Sequence, residues 1–388
     1  MRIDDASILS KVVRACRPLM DPLYRCFPTV TFCLCALSLQ AELLVSSFNS
    51  GQVFRYSETN GAFLDVFVTN TNGLLDLPHG LAFGPDNHLY VASAGNDRIL
   101  RYNGTNGAFI DTFVTNGSGG LDYPVTLIFR GDGLLYVSSQ LSDQVLRYNA
   151  TNGAFVDVFV TNSPALVGPS DMVFGPDGDL YVVGRSNNRV ARYDGSSGAL
   201  VSEFVTNGLS QPFGLRFNEE GDLLVVSGSG NQVQRFDGGT GELLGTFSMG
   251  GGLSLPVGIS RGPGGDYLVA SFSNGKVARY AAATGAYLGD FVSSNSGGLT
   301  GPNFMLFRSP TAPLAAPTLS IVGIESAAAL LSWSTNAAFF YLESASELSE
   351  AGWVAVTNTV MLNGSSNVVS LPLLGAQTYF RLVSTNAP

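Results

Sequence analysis

The sequence predicts an all-β protein built mainly as a closed ring of six four-stranded sheets, and three observations predict it. An Arg-aromatic pair recurs as Arg55-Tyr56, Arg101-Tyr102, Arg147-Tyr148, Arg192-Tyr193, Arg235-Phe236 and Arg279-Tyr280, at intervals of 46, 46, 45, 43 and 44 residues. Self-similarity at such a period marks a repeat architecture. Charged residues make up only 13% of the chain and Gly 46 of its 388 residues, with many β-branched and aromatic side chains, which favours strands and tight turns over helices. Finally, the repeat begins and ends out of phase, so that the last run supplies the strand the first unit lacks.

Each unit divides into four short runs separated by Gly, Pro, Asn and Asp turns. Run a lies at 80–83, 126–129, 171–174, 214–217, 258–261 and 304–307. Run b lies at 43–47, 89–93, 135–139, 180–184, 223–227 and 267–271. Run c ends at the six Arg-aromatic pairs. Run d, after a Gly turn, lies at 62–68, 108–114, 154–160, 199–205, 242–248 and 286–292. The repeat region enters at run b and leaves at run a. Strand 304–307 is therefore expected beside 43–47, closing a six-bladed β-propeller without exposing long sheet edges. The a–b turns, such as Gly84-Pro85-Asp86-Asn87 and Gly175-Pro176-Asp177-Gly178, carry tight-turn chemistry. They hold too few oxygen ligands for a calcium loop. The Phe ending run a is expected to pack between blades; Arg261 breaks that pattern. The six recurring arginines read as packing or hydrogen bonding between blades.

Residues 1–41 read as a signal peptide: basic residues up to Arg25, a 13-residue apolar segment at 27–39, and Ser38-Leu39-Gln40-Ala41 as the cleavage site. Its n-region is long and acidic in part, which a start at Met20 would explain. The propeller occupies 42–309, a Pro/Ala-rich linker 310–317, and a small β-sandwich 318–388, with alternating runs at 318–322, 329–334, 339–343, 353–357, 367–371 and 377–383. All four cysteines (Cys16, Cys26, Cys33 and Cys35) precede residue 42, so the expected mature chain has no disulfide and no cysteine metal site. That mature chain keeps 15 basic and 27 acidic residues, with Lys276 its only lysine. Such a surface repels phosphate backbones and argues against nucleic acid as a partner. No apolar run beyond residue 41 has the length of a membrane span, and the signal peptide makes a secreted, periplasmic or cell-surface location the expectation.

The drift-averaged unit P-x-G-L-x-F-G-P-D-G-x-L-Y-V-x-S-x-x-x-x-x-V-x-R-Y resembles the NHL-repeat six-bladed propellers, a broad group with gluconolactonase-type and virginiamycin B lyase-type enzymes. Leu331-Ser332-Trp333, Tyr341-Leu342-Glu343-Ser344 and Tyr379-Phe380-Arg381-Leu382 resemble fibronectin-type-III-like modules. The first resemblance implies a fold, not an activity.

In such a ring the d–a and b–c connections share the face around the channel mouth. The residue after the run-a Pro is His79, Val125, Ser170, Phe213, Val257 and Asn303, followed in two blades by Thr126 and Asp171. The b–c loops add Asn96, Asp97, Gln140, Asp143, Arg185, Asn187, Asn188 and Asn231. The ligand-binding candidates are His79, Thr126, Asp171, Asn303, Asn96, Arg185 and Asn187. The resemblance implies a divalent metal (calcium or another) or a His/Glu pair at this mouth; Asp171 and Asn303, with His79, are the ligand candidates. His88 falls on the opposite face, no Glu occupies the run-a positions, and the series Val, Phe, Val interrupts the polar ring. Gly250-Gly251-Gly252 is not placed as a phosphate cradle, and Gly228-Ser229-Gly230 is a b–c turn rather than a nucleophile elbow. The favoured expectation is a binding or scaffold protein without a cofactor, taking a protein, glycan or cell-surface partner. The alternative is a metal-dependent lactonase or lyase.

Overall fold

In the computed structural model the described residues are 13–16, 42–70, 74–308, 319–325, 328–334, 340–345, 354–356, 361–363, 366–372 and 377–384. The expected apolar segment 27–39, cleavage site 38–41 and linker 310–317 lie outside them.

The described residues between 42 and 308 form one compact unit of six four-stranded antiparallel sheets. The first blade unites the two ends of the ring in the order Pro302–Arg308, Glu42–Ser47, Gln52–Ser57, Phe63–Val68. Leu43 pairs with Phe307, Leu44 with Leu306 and Val45 with Met305. Arg308 also forms an ion pair with Glu42. Blades two to six run in sequence from inner strands Pro78–Phe83, Pro124–Phe129, Pro169–Phe174, Pro212–Phe217 and Pro256–Arg261. Each inner strand packs against the next, and the last returns to the first. The inner strands start at the proline, two residues earlier than the sequence pattern suggests. Proline is tolerated as a first strand residue, and a bulge just after it shifts the pairing with strand b.

The core lies between blades: six apolar clusters, one per gap, are made by strands a, b and c with the apolar ends of strand d. In three of the gaps the Phe closing the inner strand packs edge-on against the Tyr of the preceding blade. Phe129 meets Tyr90 at 4.7 Å, Phe174 meets Tyr136 at 5.3 Å, and Phe217 meets Tyr181 at 4.9 Å between ring centroids. Blades can approach this closely because each c–d turn carries a glycine. A Cβ at Gly107, with φ +71°, would stand 1.8 Å from the Phe67 carbonyl oxygen of the preceding blade. The other five turns repeat the contact.

The aspartates of the a–b turns serve structure. In three blades Asp86, Asp132 and Asp177 accept a backbone N–H two residues on, and each accepts a hydroxyl from Tyr90, Tyr136 or Tyr181 at 2.9 Å. The six arginines bond within their own blades rather than across them. Arg55, Arg101 and Arg147 reach Asp65, Asp111 and Asp157 on the outer strand. Arg192, Arg235 and Arg279 reach Asp179, Asp222 and Asp266 at the head of strand b. Arg261 turns outward to Glu219 at 2.6 Å. In blade six Leu268 replaces the larger Tyr90, Tyr136 and Tyr181, and beside it a cavity of 260 Å³ opens, lined by Asp266, Arg279 and Phe307.

The second unit holds two four-stranded sheets. One has the order Ser320–Glu325, Ala328–Ser334, Ser366–Pro372, Met361–Asn363. The other has Val13–Cys16, Gln377–Ser384, Phe340–Ala345, Val354–Ala355. Leu331, Val369 and Leu371 from the first meet Leu342 and Phe380 from the second in one core. Val13–Cys16, inside the segment expected to be a signal, pairs antiparallel with Gln377–Phe380. Among the described residues no helix is long and apolar enough to cross a membrane.

Candidate functional site

Two turns per blade build the channel mouth, and backbone hydrogen bonds lock them together. The residue after strand b (Phe48, Ala94, Gln140, Arg185, Gly228 and Phe272) donates its N–H to the carbonyl of the residue before the inner-strand proline. Those acceptors are Gly301, Leu77, Tyr123, Gly168, Gln211 and Leu255, at 3.0–3.3 Å. All six acceptors hold a left-handed backbone, with φ between +45° and +64°. Four are not glycine, so real strain gathers at this rim. A clasp from the preceding blade holds it: Asp97, Asp143, Asn188 and Asn231 accept the N–H of Tyr123, Gly168, Gln211 and Leu255 at 2.6–2.8 Å.

This bonding separates the sequence candidates into two groups. Asn96 and Asn187 brace their own blades, donating to Leu74 O at 2.7 Å and to Pro164 O at 3.1 Å. Asn274 repeats the brace with Gly252 O. Thr126 and Asp171 stand one residue further along the inner strand than His79 and Asn303. Asp171 is 0% exposed and ties three blades together. Its Oδ1 accepts from Thr126 Oγ1 at 3.1 Å and Met172 N at 3.0 Å, and its Oδ2 from Leu215 N at 3.1 Å and Arg216 Nη1 at 2.9 Å. Four donors occupy the four acceptor directions of a carboxylate. A divalent cation therefore does not fit at Asp171 without breaking the bonds that hold the blades together.

His79 and Asn303 directly follow the inner-strand proline and Arg185 directly follows strand b, beside the turns that build the mouth. His79 is 5% exposed and Asn303 1%. The Asn303 amide nitrogen lies 2.8 Å from His79 Nδ1, and His79 Nε2 lies 3.3 Å from the Tyr123 hydroxyl. Burial, reinforced by the charge of Arg185, lowers the His79 pKa to about 3, so the ring is neutral. With the Asn303 amide nitrogen facing it, Nδ1 accepts and Nε2 carries the proton. In that tautomer the Tyr123 oxygen accepts the Nε2 proton, and its own O–H is left as a donor. Burial raises the Tyr123 pKa, so that hydroxyl stays protonated.

The Arg185 guanidinium lies 4.2 Å from the centroid of the Phe213 ring. Burial lowers its pKa from the ordinary value. Val125, Phe213, Val257 and Phe304 form an apolar cluster at the mouth, with Tyr123 and Phe272 packed against it. Phe48 stands edge-on to His79 at 5.3 Å and to Phe272 at 5.6 Å. Among the described residues no three His, Cys, Asp or Glu side chains gather to hold a metal ion. Tyr123, Phe48 and Phe272 were not singled out by the sequence reading. Their signal was positional: one residue before the proline, or one after strand b.

Residues 168–298 match the PQQ_2 family model, described as outer membrane protein assembly factor BamB, which is well under half of the chain. No curated protein matches it by sequence. Among solved structures the chain is similar to one in a nidogen/laminin complex, with TM-score 0.55, 17% identity, and 69% of this chain and 98% of that one covered. It is likewise similar to a protein of unknown function from Bacteroides caccae, with TM-score 0.54, 11% identity, and coverage of 69% and 98%. Virginiamycin B lyase from Staphylococcus aureus matches with TM-score 0.43 and 15% identity over 79% and 94% of the two chains, too weakly to bear on function. The first two likenesses show the six-bladed fold alone.

Proposed function

We propose that the chain is an extracytoplasmic binding protein that receives a partner at the channel mouth, with the C-terminal fibronectin-type-III-like sandwich as a spacer. The observation supporting it is the loss of repetition at the mouth. The turn glycines recur in all six blades and the clasps in most, whereas the mouth positions hold Phe48, Tyr123, Arg185, Phe213, His79 and Asn303, five residue types among six. Apolar floor, aromatic wall and a few polar groups make a recognition surface. Burial leaves the neutral His79 a weak base, far from the near-neutral pKa that suits general acid–base work. The apolar segment at 27–39 and the partial match to an outer membrane assembly factor support export. A structural relative seen in a nidogen/laminin complex supports a protein partner.

The test places a photo-crosslinking residue at Gln211, on the rim, and another at Gly131, on the opposite face, in the full chain expressed in cells. Adducts from Gln211 alone are expected, in an extracytoplasmic fraction whose protein starts near Glu42. Adducts from Gly131 alone, or from neither position, would overturn the reading. Metal bound in stoichiometric amount and lost on Asp171→Ala would favour the lactonase or lyase alternative.

A further inference from the structure

We propose that the group recognised at the mouth is a single carboxylate, held by the Arg185 guanidinium and the Tyr123 hydroxyl above the apolar floor. The inference rests on the mouth being the binding site and specifies its ligand chemistry.

Arg185 stands apart from the other arginines of the ring. Apart from Arg98, each of them pairs with a carboxylate among the described residues. Arg185 has none, although it is half-buried and the chain has ten more acidic than basic residues. A partly dehydrated cation without a counter-charge is unfavourable, and an incoming anion relieves it. Stacking on Phe213 occupies the face of the guanidinium and leaves its N–H edge for acceptors.

The relay from Asn303 through His79 adds a second donor. Each member donates to the next, so the proton left over is the Tyr123 hydroxyl proton. Arg185 stacks on Phe213, and Tyr123 packs against the cluster that contains Phe213, so both groups border one apolar patch. Together they offer donors and no acceptor, which suits an anion with planar oxygens. The choice of a monoanion follows from the neighbouring acids. Asp97 accepts the Tyr123 N–H, and Asp76 is near enough to raise the Tyr123 pKa, so a phosphate dianion would meet one cation and two anions. Val125, Phe213, Val257 and Phe304 then receive the apolar body that carries the carboxylate.

The carboxylate could belong to a small molecule or to a protein chain end, and calorimetry on the full chain separates the two. The probes are N-acetyl-phenylalanine, its amide, inorganic phosphate, and a peptide ending in Phe with a free or amidated C-terminus. Each acid is expected to bind at least about tenfold more tightly than its amide, and Arg185→Ala to abolish that preference. Arg185→Lys should restore part of it, since it keeps the charge without the fork. Tighter binding of the peptide than of the amino acid identifies a chain end; equal binding identifies a small ligand. Acid and amide binding alike, phosphate competing equally, or no binding of either acid at about 1 mM would overturn the carboxylate assignment. In those cases adducts at Gln211 would leave the mouth reading intact. Tyr123→Phe without effect would remove Tyr123 from the site and reverse the relay. Unchanged thermal melts of the variants separate these results from misfolding.

Discussion

The side-chain nitrogen of Asn303, on the strand that completes the ring, sits 2.8 Å from Nδ1 of His79 on the inner strand of the next blade. The two residues are 224 apart in the chain, so this contact forms only when the ring closes.

The neutral imidazole of His79 gives the first expectation. Burial and Arg185 lower the folded-state pKa of His79 to about 3, while an unfolded chain takes up the proton near 6.5. The stabilisation is complete above pH 6.5 and is lost as pH falls toward 3, by about 1.4 kcal/mol per unit. His79→Gln cannot titrate there. The gap between the urea midpoints of the two proteins should therefore shrink from pH 7 to pH 4, with carboxylate effects common to both. A gap that stays constant would contradict a buried neutral His79.

Asp171→Ala should destabilise the ring by about 3 kcal/mol, because it strands the Leu215 N–H and removes the partner of Arg216. Asp171→Asn should lose less, since it keeps the shape and an acceptor. Chemical denaturation of the three proteins measures this. A loss below about 0.5 kcal/mol for the alanine variant would refute a structural role.

Two glycines with left-handed backbones separate close approach from conformational freedom. Gly133, with φ +81°, has open space where a Cβ would go, whereas a Cβ at Gly107 would strike the Phe67 carbonyl at 1.8 Å. Gly133→Ala should cost about 1 kcal/mol, and Gly107→Ala several times more. Equal shifts in thermal melting would mean that the blades can separate freely.

Ser46 Oγ accepts the Phe304 N–H at 2.9 Å and donates to the Phe304 carbonyl at 3.2 Å, bridging the two chain ends. Ser46→Ala should lose about 1–2 kcal/mol by leaving that buried N–H unpaired. Amide exchange at Phe304 should quicken by more than at Thr126, whose N–H Ser138 holds in the same way. Similar exchange at both positions would show that the serine is dispensable.

The blades were legible because their spacing repeats: Arg-aromatic pairs, turn glycines and the Asp of the a–b turn each recur where the sheet demands them. The closure of 302–308 on 42–47 was legible from phase alone. The mouth was legible only in part. Register placed His79, Asn303 and Arg185 there, but the contacts His79–Asn303, Arg185–Phe213 and Asp171–Arg216 cross blades and depend on the curvature of the closed ring. Tyr123 left no signal of its own, because Leu77, Gln211 and Leu255 adopt the same backbone with unrelated side chains. Asn96 and Asn187 looked functional, yet their recurrence as Asn274 in a third blade marks them as braces.

Joining Glu42–Ser47 to Pro302–Arg308 sets an order of events during synthesis. At about 5–20 residues per second, the ribosome needs some tens of seconds after making the first of these strands before it delivers the second. Throughout that interval the nascent chain carries a sheet with a bare inner edge. Polypeptides released before Met305 would keep it permanently, exposing a template for misassociation that a chaperone has to shield.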